Sequence, residues 1–504
     1  MASMKYAIVS LVVSMSAAVS LAGCSGNSSH DAPTDAGSPD AADAPPLAPQ
    51  TLSITETAMF QVVKVPLSKD GAKVDDRLAP VVAGRDGLLR VYYRPDAGWK
   101  RHGVMGELTI TSPGMPTPLV LKTVQDVTAS YSRDSDLKST FNFEVPGDAV
   151  RVDSRYSVVL RLADKSVEYA RYPSEGAPEL LDAASSGEQL KVKIVPVRYD
   201  ADGTGRVPDV TPDGVEAYRA AMFAMYPTKK VEITVRDTPL VWSTPITADG
   251  TGWSELLQDI VQLRSTDRVP EDVYYYGLFE PAASIWKYCG KTGCIVGLSN
   301  LTGPSDVVTR ASIGVGYGDD QSAETMVHEI GHAHGRQHSP CGDVLFPDKK
   351  YPYPGGIIGS VGYDVGPKAL VDSESYDVMG YCGPKWISDY TYGKIFQRMQ
   401  LVSSAKAIYS PGGPQTFRFV GVSKDGKLTW GKTITVSSPL FAEPHAVTFE
   451  GPDGKSTTVT GHYFPYEDLA GGYILVPEPT TAVERVRVAG LPAAVQSVLE
   501  RRAP

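Results

Sequence analysis

Hydrophobic and polar positions alternate in short runs over residues 51–186, with turn residues between the runs. Residues 88–93 (Leu-Leu-Arg-Val-Tyr-Tyr), 106–110 and 156–162 are examples. A period of two over such lengths predicts half-buried antiparallel strands, and their spacing predicts a β-sandwich-like domain. The texture changes over 187–405, where strand and helix patterns alternate. Strands are expected at 190–197, 231–235, 273–279 and 294–298. Val215, Tyr218, Met222 and Met225 fall at helical spacing, with Asp213 expected as the cap. Leu256, Leu257, Ile260 and Val261 mark a second helix, and a third is expected over about 321–334. The chain then becomes rich in Gly, Pro and Tyr and loses periodicity. A closing helix over 387–403 carries Tyr392, Ile395, Phe396 and Met399 on one face. Residues 406–504 return to short strands, such as 415–420 and 456–460, and predict a second β domain. Trp430 and the Tyr463-Phe-Pro-Tyr466 cluster within it are read as core packing rather than as a glycan- or protein-binding face. The fold class expected is thus multidomain, an α+β domain flanked by β-sandwich-like domains.

One segment of the third helix carries chemistry. Residues 328–338 read His-Glu-Ile-Gly-His-Ala-His-Gly-Arg-Gln-His, and they hold four of the eight histidines in the chain. Residues four apart share a helix face, so His328 and His332 can reach one metal ion together. Glu329 follows about 100° around the helix, beside the metal rather than on it, where it can act as a general base. His338 can join only if the helix stops and the chain turns back. Gly335 permits that turn, because glycine enters the left-handed conformation at little cost. His334 is two residues from His332 and points away from the metal; a surface or supporting role is expected for it. A downstream glutamate as third ligand, with Glu374 the nearest, fits less well than His338.

The pattern H-E-x-x-H-x-x-G-x-x-H resembles the zinc motif of the metzincin metalloproteases. These share a three-histidine zinc site and a methionine-bearing turn beneath it. The stretch Ser375-Tyr-Asp-Val-Met379-Gly-Tyr381-Cys382 is similar to that turn. The resemblance implies that Met379 floors the three imidazoles, and that Tyr381 ligates the metal or supports an oxyanion. It implies one catalytic zinc ion held by His328, His332 and His338. The strand and helix order of 187–405 is compatible with a metzincin upper subdomain, in which an edge strand can hold an extended peptide by strand addition. The branch suggested is that of large secreted bacterial metzincins such as the StcE-type mucin proteases. The resemblance covers about residues 188–405.

The N-terminus reads as a targeting segment. Lys5 precedes an apolar run over 7–22 that ends in Leu21-Ala22-Gly23-Cys24. This is similar to a bacterial lipobox, so residues 1–23 are expected to be a signal peptide and Cys24 a lipidated N-terminus. Residues 24–50 are Ser, Gly, Asn, Asp, Ala and Pro for the most part and predict an extended stalk. Ser25 favours sorting to the outer membrane or cell surface, with the membrane met only through the lipid. Of the five cysteines, four remain after Cys24: Cys289, Cys294, Cys341 and Cys382. In an exported protein they predict two disulfides, with three pairings possible. Cys289–Cys294 with Cys341–Cys382 is favoured, the second clipping the exit of the zinc helix to the methionine turn. Residues 51–186 contain no cysteine, so a cysteine-switch prodomain is excluded. The run Asp200-Ala-Asp-Gly-Thr-Gly-Arg206 has two acids of a calcium loop but no third acidic ligand and no closing glutamate; a solvated turn is expected, with calcium unsupported.

The formal net charge of −10, with no basic run, argues against a nucleic-acid partner. The expected function is that of a monomeric zinc endopeptidase acting on extracellular proteins or glycoproteins through a metal-activated water, with Glu329 as base. Two other readings stand beside it. One is a zinc amidase or deacylase on non-protein substrates. The other is a surface glycan- or protein-binding lipoprotein with a vestigial zinc site.

Overall fold

The computed structural model describes residues 50–164, 167–290, 293–405 and 413–490, and the backbone of 497–498. The expected signal peptide, Cys24 and nearly all of the stalk lie outside the described residues. The architecture is built from several sheets, mostly β, with few helices.

Two five-stranded antiparallel sheets come first. One has the order Ala72–Lys73, Lys64–Lys69, Leu52–Phe60, Gly87–Pro95, Phe141–Val145. The other is built on His102–Thr111, Leu119–Val127, Arg155–Leu162 and Glu168–Tyr172, with Glu179–Leu180 paired to Arg155–Leu162. Inward residues of both, among them Leu89, Val91, Leu108, Phe141 and Val158, share one apolar core. That core continues without a break into the helices that follow, through Tyr218, Met222, Met326 and Ile395. Buried Arg85 stitches the junction. Its guanidinium donates to the carbonyls of Gln61, Tyr226, Thr228 and Phe223.

The next sheet positions the candidate site. Its strands are β1 (Leu190–Tyr199), β2 (Val231–Val235), β3 (Leu240–Trp242), β4 (Val273–Phe279), β5 (Gly297–Ser299) and β6 (Ala311–Val315). The order is β2-β1-β4-β6-β5, with β3 added beside the end of β1. All pairs are parallel except β5 with β6, so a single antiparallel strand closes one edge. The strand expected at 294–298 is found as Gly297–Ser299, starting three residues later and ending one residue further on, and β6 is a strand that the pattern did not predict. Every residue of β6 is buried. A strand covered on both faces shows no alternation, so period-two reasoning passes over it.

Helices α1 (Pro212–Met225), α2 (Trp253–Thr266), α3 (Asp320–Ala333) and α4 (Asp389–Ser404) pack around this sheet. The cap of α1 is Thr211, not Asp213. Pro212 occupies the first helical position, where its missing N–H costs nothing, and that makes the preceding residue the cap. Helix α3 is capped by Asp319, which accepts from the Ser322 N–H and hydroxyl at 2.9 and 2.6 Å. Its last two turns are buried on every side, as expected for a helix that carries a site inside the fold.

A seven-stranded antiparallel sheet built from 415–498 closes the chain. It includes β7 (Ser456–Pro465) and β8 (Gly471–Pro477), joined by a five-residue turn over 466–470. Phe417, Phe419, Phe464, Tyr466, Tyr473 and Leu475 share a core with Leu256, Ile260, Tyr275 and Ile313 of α2, β4 and β6. Trp430 is half-buried beneath the Arg418 guanidinium, 5.0 Å from its ring centre, and is not an open binding face.

Candidate metal centre

Helix α3 ends in a Schellman motif. The Gly335 N–H donates to the His332 carbonyl (2.7 Å) and the Arg336 N–H to the Gly331 carbonyl (3.0 Å). Gly335 has φ +78°. The chain reverses there and brings His338 back to His328 and His332. Among the described residues one group has metal-ligand donors converging: His328, His332, His338 and Asp468, all within 4.8 Å of one another.

Each imidazole is oriented by a backbone carbonyl. His328 Nδ1 meets the Val378 carbonyl at 2.7 Å, His332 Nδ1 the Arg336 carbonyl at 2.6 Å, and His338 Nδ1 the Leu345 carbonyl at 2.7 Å. A carbonyl only accepts, so all three rings donate from Nδ1 and turn Nε2 toward the cluster. Burial also holds His332 well below the ordinary imidazole pKa. The Nε2 atoms of His328 and His332 face each other at 3.0 Å. Two lone pairs at that distance repel unless a cation lies between them. Ligands about 2.0–2.1 Å from a tetrahedral zinc ion stand about 3.3 Å apart. Three imidazoles that turn Nε2 inward and a carboxylate with an unpartnered buried oxygen, Asp468 Oδ2, are a donor set that fits zinc.

Asp468 comes from the β7–β8 turn. Its Oδ1 lies 3.0 Å from His338 Nε2 and 3.6 Å from His328 Nε2, and its Oδ2 lies 3.6 Å from His332 Nε2. Its side chain is 8% exposed. Glu467 is buried beside it, pushed up to about 8 by desolvation. No local pattern marks either residue. An acid pair after an aromatic cluster in a Gly-ended turn reads as a solvated turn.

Glu329 is buried, with Oε2 unpartnered, and lies against β5, where a Cβ on Gly297 would collide with its carboxyl. Burial first, and the Asp468 charge second, push its carboxyl well above the usual carboxylate range. Met379 is buried under α3; a Cβ on Gly331 would come within 2.5 Å of its sulfur. Asp377 holds the turn, accepting from the Met379 N–H and the Ser388 N–H, both at 2.9 Å. Tyr381 is 45% exposed, and its hydroxyl points into the cluster to donate to Asp468 Oδ1 at 2.6 Å.

Disulfides join Cys341 to Cys382 and Cys289 to Cys294. The first ties the segment after His338 to the segment after Met379. His334 lies outside the metal cluster and is not a surface residue. It is buried, stacked on Tyr274 with centroids 4.2 Å apart, and bonded to the Ile330 carbonyl. Glu374 is exposed. In the 200–206 run, the Asp202 carboxylate is engaged by Thr204 and Arg206.

Residues 308–381 match the model of the family described as Peptidase M66, a family of zinc metallopeptidases, and the match supports a peptidase. It spans β6, the histidine helix and the methionine turn. No curated protein matches the chain. Among solved structures, the chain is similar to a calcium-binding mutant of β-glucuronidase 2 from Bacteroides uniformis, at 8% identity and TM-score 0.16, covering 47% of this chain and 26% of that one. A putative β-galactosidase from Bacteroides fragilis gives 13% identity and TM-score 0.15, covering 47% and 37%. The chain therefore spans well under half of either enzyme. Similarities at this level transfer neither fold nor activity.

Proposed function

We propose that this chain is a zinc-dependent endopeptidase of the metzincin kind, acting on extracellular proteins or glycoproteins from the bacterial cell envelope. The observation that carries this reading is the orientation of three imidazoles by three backbone carbonyls, with Glu329 buried alongside. His328, His332 and His338 hold the metal. When bound there, zinc supplies Lewis acidity to the scissile carbonyl and makes water a nucleophile near neutral pH. Glu329 takes the proton of the attacking water and passes it to the leaving amine. The Tyr381 hydroxyl faces the same space and serves as donor to the developing oxyanion. Met379 packs beneath the helix and keeps His328 and His332 in register. The edge strand β5, antiparallel in an otherwise parallel sheet, offers backbone groups to an extended peptide. The lipobox-like Leu21–Cys24 stretch supports export and lipid anchoring.

The test compares wild type with Glu329→Gln and His332→Ala on casein and a mucin, with and without chelator, after measuring zinc content. Glu329→Gln is expected to keep zinc and lose cleavage by three orders of magnitude or more; His332→Ala is expected to lose both. Wild-type rates from Glu329→Gln would remove the assigned base.

A further inference from the structure

Zinc peptidase sites keep one ligand position open for water or substrate, whereas four protein donors make a closed site. Here the fourth donor, Asp468, lies 130 residues beyond His338 in the chain. The strand leading to it takes a second position. Tyr466 pairs antiparallel with Asn300, just past the end of β5. The Leu301 N–H donates to the Pro465 carbonyl and the Glu467 N–H to the Ser299 carbonyl, both at 3.4 Å. A peptide added to this edge would use the same backbone groups of Ser299 and Leu301. Glu329 lies against the same strand at Gly297. Residues 465–468 therefore cover the groove edge while the Asp468 carboxylate faces the three histidines.

We propose that residues 465–468 are a built-in occupant of the substrate groove, with Asp468 as a displaceable fourth metal ligand, so that the chain cleaves only slowly until the 466–470 turn is withdrawn. This rests on reading the site as a zinc peptidase. The occupant is held at both ends. Tyr466 is buried, its hydroxyl accepting from Gln258 at 3.3 Å, and Tyr381 donates to Asp468. The sheet behind it is docked on α2 through Gln262 to the Thr433 carbonyl (2.9 Å) and Lys432 to Asp259 (2.9 Å). The backbone bonds along the groove itself are 3.4 Å long, against 2.6 Å for the Tyr381–Asp468 bond. A substrate competing for β5, or cleavage within 466–470, would free the metal without unfolding the sheet.

The experiment uses the full chain, loaded with zinc or with cobalt as a spectroscopic substitute, as wild type, Asp468→Ala and Asp468→Asn. Acetohydroxamate is the probe for an open metal position, read from the cobalt visible spectrum, and zinc affinity is read by chelator competition. Expected are at least tenfold tighter acetohydroxamate binding and at least tenfold weaker zinc binding in Asp468→Ala. Asp468→Asn keeps the side-chain volume and should shift both in the same direction. Casein cleavage should rise at least tenfold in either variant. Equal acetohydroxamate and zinc affinities in all three proteins would overturn the proposal, even if all three cleave casein. Tighter acetohydroxamate binding with no cleavage of casein or mucin would uphold the occupant and count against the peptidase.

Discussion

The Tyr381 hydroxyl donates to Asp468 Oδ1 across 2.6 Å, although 87 residues separate the two in the chain. One residue belongs to the methionine turn and the other to the last sheet. The bond ties the proposed oxyanion donor to the proposed occupant. Tyr381→Phe removes both functions. Cleavage is expected to fall by roughly a hundredfold, the scale of a lost oxyanion donor, while zinc content stays stoichiometric and acetohydroxamate binds more tightly. Initial rates and metal analysis on one preparation check all three.

Gly297 carries a second prediction. A side chain there collides with the Glu329 carboxyl from the strand side. Gly297→Ala is expected to retain zinc, because no ligand moves, and to lose about a hundredfold in kcat through misplacement of the base. Zinc loss together with activity loss would show instead that β5 supports the ligands.

At Gly335 the expected defect is the reverse. A side chain at φ +78° is strained, and it meets the Arg398 guanidinium and, at 3.2 Å, the Thr302 carbonyl. Gly335→Val should destabilise the fold by about 1–3 kcal/mol and misdirect His338. Lower zinc stoichiometry and a lower Tm are the readouts.

The Cys341–Cys382 bridge closes a loop with a sequence separation of 41. Loop-closure entropy puts its contribution at about 4 kcal/mol. Cys341→Ser with Cys382→Ser should unfold at lower urea and release zinc faster to a chelator, because the bridge joins the segments that place His338 and Met379.

Arg85 is not among the converging metal-ligand donors and tests the continuity of the core. Arg85→Ala removes the guanidinium donor from the carbonyls of Gln61, Tyr226, Thr228 and Phe223 and is expected to cost about 3–5 kcal/mol. Urea unfolding should show a lower midpoint. A single transition would show that the first two sheets and the helices unfold together.

Local geometry explains how much of the site was legible in the sequence. The i, i+4 relation of His328 and His332, the left-handed turn at Gly335 and the return of His338 depend on dihedrals and spacing within eleven residues. The strands at 231–235 and 273–279 announced themselves by β-branched and aromatic runs bounded by turns. Thr211 displaced Asp213 as the cap of α1 for an equally local reason, the proline between them. Tertiary structure decided the rest. Strand β6 is covered on both faces and has no alternation to read. A helix argument turns His334 away from the metal and leaves a surface or a supporting place open; the partner that buries it, Tyr274, comes from a strand. Asp468 and Glu467 sit in a turn whose composition reads as solvated, and they reach the metal cluster only because Phe464, Tyr466 and Tyr473 dock the last sheet against α2, β4 and β6. The histidines were written in one helix and its exit, so the sequence alone determined the ligand set it could offer. Whether a fourth donor fills the remaining position depends on contacts between segments 130 residues apart, which burial of apolar surface creates and no local pattern records.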